Sequence, residues 1–431
     1  MYRKVIKDSL PTVISLMLAG MYSMIDGLFI GKAAGDTGLA AVNIAWPIVA
    51  VLIAAGMGTG VGGSVLLSIY RGQGNKRNMM RAHETTITLL LVDGICLTLL
   101  LLFLYPFLLK GLGAEGDVFV EAAKYSEVIA KGSLFLILGA GVLPLLRNRG
   151  MALHAMIGMM TGILINIGLN YYLMFQRGMG IQGAAYGTVT AQGVVAFIGI
   201  MLLYRDAKKF PELKLDGEMT KRIFQIAVPA FGVSIAPSVA LIFTNWQCLL
   251  YGGETTVACY AVISYIVFPV QSMLSGIGEG TQPLMSYLNG AEKYKDVQKL
   301  RESACRIAVV LGGVAFMVSI ILSPKVSTWF GLSEDAASFF KTGMRISAVS
   351  FWTAGITKLN VTYLNATLQT KRAAILTYVE SLVVTPLLLY TLPVFIGING
   401  IWSTLPAVTL CLLVIYKMME EKKGYEKPAE I

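Results

Sequence analysis

Apolar runs of about 20 residues or more, long enough to cross a bilayer as α-helix, recur twelve times along the chain. They fall at roughly 9–31, 39–70, 82–110, 120–146, 152–175, 181–204, 223–251, 256–288, 299–323, 338–368, 373–395 and 398–417. Several exceed a perpendicular span and are expected to tilt or to extend beyond the bilayer. The pattern predicts an all-α polytopic membrane protein with twelve transmembrane helices.

The polar stretches divide this pattern in two. The longest charged stretch, YRDAKKFPELKLDGEMTKR at 204–222, separates six apolar runs from six more. The halves echo one another. Pro11 to Gly31 parallels Pro229 to Gly252, GMGTG (56–60) parallels GIGEG (276–280), and GMGIQGAAYGT (178–188) is matched by GINGIWST (397–404). Six helices per half give both repeats the same membrane orientation, so an axis along the membrane normal should relate them as a pseudo-two-fold. The expected organisation is an N-terminal lobe at 1–203, a cytoplasmic linker at 204–222, a C-terminal lobe at 223–418 and a cytoplasmic tail at 419–431. Two similar lobes with a cavity between them are the architecture of an alternating-access transporter.

Composition agrees with a membrane setting. Of the 431 residues 55% are hydrophobic and 14% charged, and the mean hydropathy is +0.68, which would leave a water-soluble globule with far too much apolar surface. The 45 glycines fit helices that pack closely at small residues. The net charge of +10 invites a nucleic-acid reading until the charges are placed. With the N-terminus in the cytoplasm, roughly three quarters of the 35 Lys and Arg residues fall on the cytoplasmic side, as the positive-inside rule requires, and both termini are then cytoplasmic. No nucleic-acid partner is expected. The segment after MYRKVIKDS lacks a small-residue cleavage site, so the first helix should be retained. The five cysteines lie in apolar segments without metal-like spacing and read as small core residues. GTGVGG (58–63) fits a dinucleotide-binding pattern but lies inside an apolar helix and follows no strand, so it reads as helix packing.

Ionisable residues within apolar helices carry the candidate chemistry, because a charge at membrane depth costs roughly 2.5–3.5 kcal/mol on insertion scales and usually faces the protein interior or a wet cavity. Asp26 lies six residues before Lys32, which at 1.5 Å per residue places it about 9 Å inside the outer end of helix 1. In helix 5, Asn166 and Asn170 share one face, and Asn170 has the depth of Asp26. Tyr22 one turn before Asp26, Asn43 at the start of helix 2 and Gln192 in helix 6 complete one expected polar pocket. It would bind a proton or an alkali cation at Asp26, sodium being the one metal ion considered. In the second half Lys358 lies mid-membrane at a depth that overlaps those of Glu279 and Glu380, and this C-lobe polar site reads equally as a structural ion pair or as part of a coupling relay. Asp93, beside Gly94, reads as a satisfied structural residue.

Four stretches resemble the multidrug and toxic compound extrusion (MATE) family: MYSMIDGLFIGKAAGDTGLAAVNIAWPI (21–48), PLLRNRGMALHAMIGMMTGILINIGLNYYLMF (144–175), GIQGAAYGTVTAQ (180–192) and GIGEGTQPLMSYLNGAEKY (276–294). The resemblance spans nearly the whole chain. It implies two six-helix lobes around a V-shaped central cavity, and export of organic cations in exchange for protons or sodium, with no cofactor beyond the ion gradient. It also implies an acid in helix 1, at Asp26, and a proline fifteen residues earlier, at Pro11, where the helix bends. The family's helix 5 pattern of Asn then Asp is matched at Asn166, but Asn170 replaces the acid. A single-carboxylate proton cycle on Asp26 is then the simpler scheme. Arg149 and Glu279 also depart from the family pattern.

The expected protein is thus a monomeric antiporter of a cell membrane, in bacteria the inner membrane, whose partners are small organic cations and the lipid bilayer. The rival is a flippase for lipids or lipid-linked oligosaccharides, which would want a cationic cavity, whereas Lys358 alone is placed deep in the membrane. An enzyme is not expected: His83 and His154 lie near helix ends, and neither H-E-x-x-H nor G-x-S-x-G occurs.

Overall fold

In the computed structural model, residues 1–207, 212–329 and 334–421 are described. Of the expected tail at 419–431, residues 422–431 lie outside the described residues, as do 208–211 of the linker. Every element among the described residues is helical.

Each helix of the first half has a counterpart in the second. The chain opens with α1 (Tyr2–Gly35) and α2 (Thr37–Gly72), followed by α3 (Lys76–Gly111), α4 (Gly116–Lys131) and α5 (Ser133–Asn148). Next come α6 (Ala152–Asn170), which runs into a π-helical turn at Tyr171–Gln176, and α7 (Gly180–Ala207). The second half repeats this as α8 (Gly217–Gly253), α9 (Thr255–Gly290), α10 (Tyr294–Trp329), α11 (Glu334–Ala348) and α12 (Phe351–Ala366). It finishes with α13 (Thr370–Val379), a π-helical turn at Glu380–Val384, α14 (Thr385–Ile396) and α15 (Ile398–Glu421).

The breaks repeat too. Between α1 and α2 the chain turns at Gly35 with φ 63°, ψ −160°, and between α8 and α9 at Gly253 with φ 63°, ψ −161°. This dihedral region is essentially closed to residues with a Cβ, which is why glycine stands at both positions.

Ten of the described helices are long and apolar enough to cross a membrane, and α4 and α5, bent by 59° around Gly132, are so only when taken together as one broken pair. The twelfth expected segment, 338–368, is the repeat mate of that broken pair and forms α11 and α12. Each is too short to cross a membrane alone, at 15 and 16 residues.

The chain forms two compact units, one of residues 22–235 with 290–292, the other of residues 1–21, 236–289 and 293–431. The division falls after Met21 and after Ile235, inside α1 and α8, rather than in the 204–222 linker. The glycine motifs supply the physical reason. In the first unit Gly58 and Gly62 of α2 lie against the start of α8: a Cβ on Gly62 would stand 2.5 Å from the Ile223 carbonyl, and one on Gly58 3.1 Å from that of Ala227. In the second unit Gly276 and Gly280 of α9 lie against the start of α1, where a Cβ would stand 2.6 Å from Val13 Cα and 2.5 Å from Ser9 Cα respectively. Only glycine permits approaches this close. GTGVGG is therefore a helix-packing surface: Gly60 faces Gly141 of α5 while Gly58 and Gly62 face α8.

The linker is tied down at its end. Asp216 accepts the Met219 backbone N–H at 3.0 Å, capping α8, and pairs with Arg81 of α3. The Met219 N–H first, and the Arg81 guanidinium with it, hold its carboxyl below the usual carboxylate range.

Candidate functional site

In the first unit the carboxylate of Asp26 meets α6. Asn170 Nδ2 donates to Asp26 Oδ1 at 2.6 Å, and among the described residues no cation pairs with this acid. Four residues earlier, on the same face of α6, Asn166 donates to the Thr188 hydroxyl of α7 at 3.2 Å. Both asparagines are buried, at 3% and 0% exposure. Tyr22 lies one turn before Asp26 on α1, and its buried hydroxyl, close to Asp26 and Thr188, makes no hydrogen bond of normal geometry. The amide oxygens of Asn166 and Asn170 are likewise buried without a partner. One carboxylate, one phenol and two amide oxygens thus remain with unused hydrogen-bonding or coordinating capacity, which buried polar groups seldom retain.

Local sequence explains how this cluster is built. A Cβ on Gly187 of α7 would collide with Asn170 Oδ1, so the glycine leaves room for the amide that reaches Asp26. Directly after Asn170 the helix loosens into the π-helical turn, a distortion often found at functional positions. That turn carries Phe175, which packs edge-on against Phe29, three residues beyond Asp26, with ring centroids 5.7 Å apart. Tyr125 of α4, 3% exposed, stands close enough to Asp26 to feel its charge.

Two residues expected in this cluster are elsewhere. Asn43 is exposed, because α2 buries the face of Ala41, Ala45, Ile48 and Leu52 and a residue two positions from Ala41 points away from it. Gln192, one turn beyond Thr188, directs its side-chain oxygen at Gly139 of α5 instead. Thr188 and Tyr125 were not among the expected residues. Thr188 was legible as the residue one turn before Gln192, whereas nothing in the sequence marks Tyr125. At Pro11 α1 continues as helix, its one non-helical position being Gly35.

In the second unit Lys358 of α12 pairs with Glu380, the first residue of the second π-helical turn, at 3.0 Å, with side-chain exposures of 15% and 17%. Glu279 lies on α9 next in sequence to Gly278, whose close neighbours are Leu359 and Thr362 of α12. A small cavity touches Glu380 and is lined also by Thr357, Asn360, Leu376 and Tyr416. Behind it Arg301 of α10 is sandwiched between the rings of Tyr363 and Tyr416, at 4.7 and 4.8 Å, and bonds to Glu420 at 2.9 Å and to Asn360 at 3.1 Å. Asp93 of α3 accepts the Thr59 hydroxyl at 2.8 Å.

An all-helical membrane protein of two lobes, each holding polar clusters within apolar helices, has the build of a membrane carrier. The MatE family model matches residues 11–172 and again 229–391, and the chain belongs to that family. It is accordingly a transporter rather than an enzyme. It is 25% identical to the multidrug export protein MepA of Staphylococcus saprophyticus over 421 residues, covering 96% of this chain and 93% of that one. Among solved structures, a MATE protein in a straight conformation superposes with a TM-score of 0.91 at 20% identity, over 98% of this chain and 95% of the other. A MOP superfamily transporter from Pyrococcus furiosus gives 0.90 at 21% identity, over 98% and 95%. The two family matches begin 218 residues apart, the same interval that separates Gly35 from Gly253.

Proposed function

We propose that this chain exports organic cations from the cell and takes up protons in exchange, with Asp26 as the group that alternately holds a proton and releases it. The observation that carries this reading is the pairing of a carboxylate inside an apolar helix with an amide, rather than with a cation. Such an acid has no fixed counter-charge. Its charged form depends on one charge-assisted hydrogen bond, and its neutral form avoids the cost of desolvation, so both states are within reach. The name of the MepA relatives supports multidrug export, and the net charge distribution supports cytoplasmic termini.

A second reading of the coupling ion rests on the unpartnered oxygens. Tyr22, Asn166 and Asn170 offer neutral oxygen ligands beside the carboxylate, a donor set suited to sodium. The flippase alternative is disfavoured because Lys358, the cation expected deep in the membrane, is paired with Glu380 rather than left for an anionic headgroup.

The test is efflux of a fluorescent organic cation from proteoliposomes under an imposed proton or sodium gradient. Gradient-driven efflux should be lost in Asp26→Asn. Unchanged efflux in that variant would remove Asp26 from the coupling mechanism, and flipping of an anionic lipid-linked substrate without any response to organic cations would favour the flippase.

A further inference from the structure

Two carboxylates within the apolar helices are compensated in opposite ways. Asp26 receives an amide N–H and no cation, whereas Glu380 receives the ammonium of Lys358 at 3.0 Å. The charged and polar groups near Glu380 come from several helices. Lys358 stands on α12, Tyr416 and Glu420 on α15, and Arg301 on α10. Arg301 is already matched by Glu420 at 2.9 Å, and Tyr416 donates its hydroxyl to Glu420 at 2.7 Å. The charges therefore form two separate pairs, Lys358 with Glu380 and Arg301 with Glu420. Glu380 has no cation but Lys358 among these contacts. Glu380 also lines the small cavity, together with Thr357 and with Asn360, whose amide oxygen already accepts from Arg301 at 3.1 Å. Thr357 donates to the Ala354 carbonyl at 2.9 Å, so its oxygen keeps lone pairs for another partner.

We propose that Glu380, with the Thr357 hydroxyl, forms a monovalent-cation site in the C-terminal half that Lys358 permanently fills as a tethered ammonium. The chain's ion exchange is then confined to Asp26, one monovalent cation per cycle. This rests on the reading of Asp26 as the exchanging group. The physical basis is that removing one partner of a buried ion pair leaves the other charge uncompensated, at a cost large enough to recruit a replacement cation. A lysine supplies that cation intramolecularly, at high effective concentration, so no dissolved ion competes for the position.

Thermal unfolding of purified protein in detergent, at pH 8 and constant ionic strength, tests the site without any need for transport. Midpoints are compared in sodium chloride, potassium chloride and N-methylglucamine chloride. Asp26→Asn should show the same midpoint in all three, because the remaining site holds its own cation. Asp26→Asn with Lys358→Met should gain a rise of about 2 °C or more in sodium or potassium over N-methylglucamine, and adding Glu380→Gln should abolish that rise. Lys358→Gln, which retains a hydrogen-bonding group, serves in place of Lys358→Met if the latter does not fold. Alkali-ion stabilisation that persists in Asp26→Asn with Lys358 intact would overturn the proposal. So would the absence of any cation response in both Lys358 variants. Loss of coupling at Asp26 is read from efflux and fails or stands separately.

Discussion

Asn170 donates its amide N–H to Asp26 at 2.6 Å, joining α1 to α6 across 144 positions of sequence. The contact sets the partner of Asp26, and it makes the position of the asparagine as consequential as that of the acid. Asn170→Leu, close in volume, removes a hydrogen bond to a charged group, a contact worth roughly 1.5–3 kcal/mol. Gradient-driven efflux in proteoliposomes should fall at least about tenfold, with a modest drop in thermal midpoint.

Gly187 should behave as part of the same machinery although it carries no chemistry. A Cβ there meets Asn170 Oδ1, so Gly187→Ala must turn the amide away from Asp26. Efflux should fall in parallel with Asn170→Leu, and the double variant should be little worse than either single one, because both remove one contact. Additive losses would show that Gly187 acts elsewhere.

The glycine seams make a stability prediction in each unit. Gly276→Leu drives a side chain into the backbone at Val13, and Gly58→Leu drives one towards the Ala227 carbonyl. Each should lower stability by about 1–3 kcal/mol, read as a reduced thermal midpoint in detergent. The Gly276 variant should be affected more, since its backbone neighbour is nearer.

Asp216 supplies a pH control. Its carboxyl is held below the usual range by the Met219 N–H and by Arg81. A depressed acid contributes its stabilisation fully above the unfolded-state value, near 3.9, and loses it only as pH falls through the lower folded-state value. The stabilisation from Asp216 should therefore be constant between pH 5 and pH 8 and add no pH dependence there. Asp216→Asn should leave the efflux pH profile in that window unchanged, while lowering the midpoint at every pH within it.

The helices, the repeat and the acid in helix 1 were legible because each leaves a mark in one dimension. Apolar runs give the spans, GMGTG and GIGEG give the repeat, and a lone charge among apolar residues stands out. The Asn166 and Asn170 pair was legible from its four-residue spacing. Asn43 and Gln192 were misplaced because matching depth does not fix which way a side chain points around its helix axis. Burial of Ala41 and the room left by Gly139 decide those directions, and both depend on neighbouring helices. The Arg301 cluster with Tyr363, Tyr416 and Glu420 draws on three helices and has no local signature. The crossing of α1 and α8 from one unit to the other was hidden for the same reason: glycines at 58, 62, 276 and 280 mark close packing but not the partner.

The most direct measurement of the coupling role is cation efflux from proteoliposomes under proton and sodium gradients applied separately, with wild-type protein and Asp26→Asn side by side. The wild type should drive efflux down at least one of these gradients, the proton gradient first, and Asp26→Asn should respond to neither. A wild-type rate that ignores both gradients, or an Asp26→Asn rate equal to that of wild type, would contradict the account.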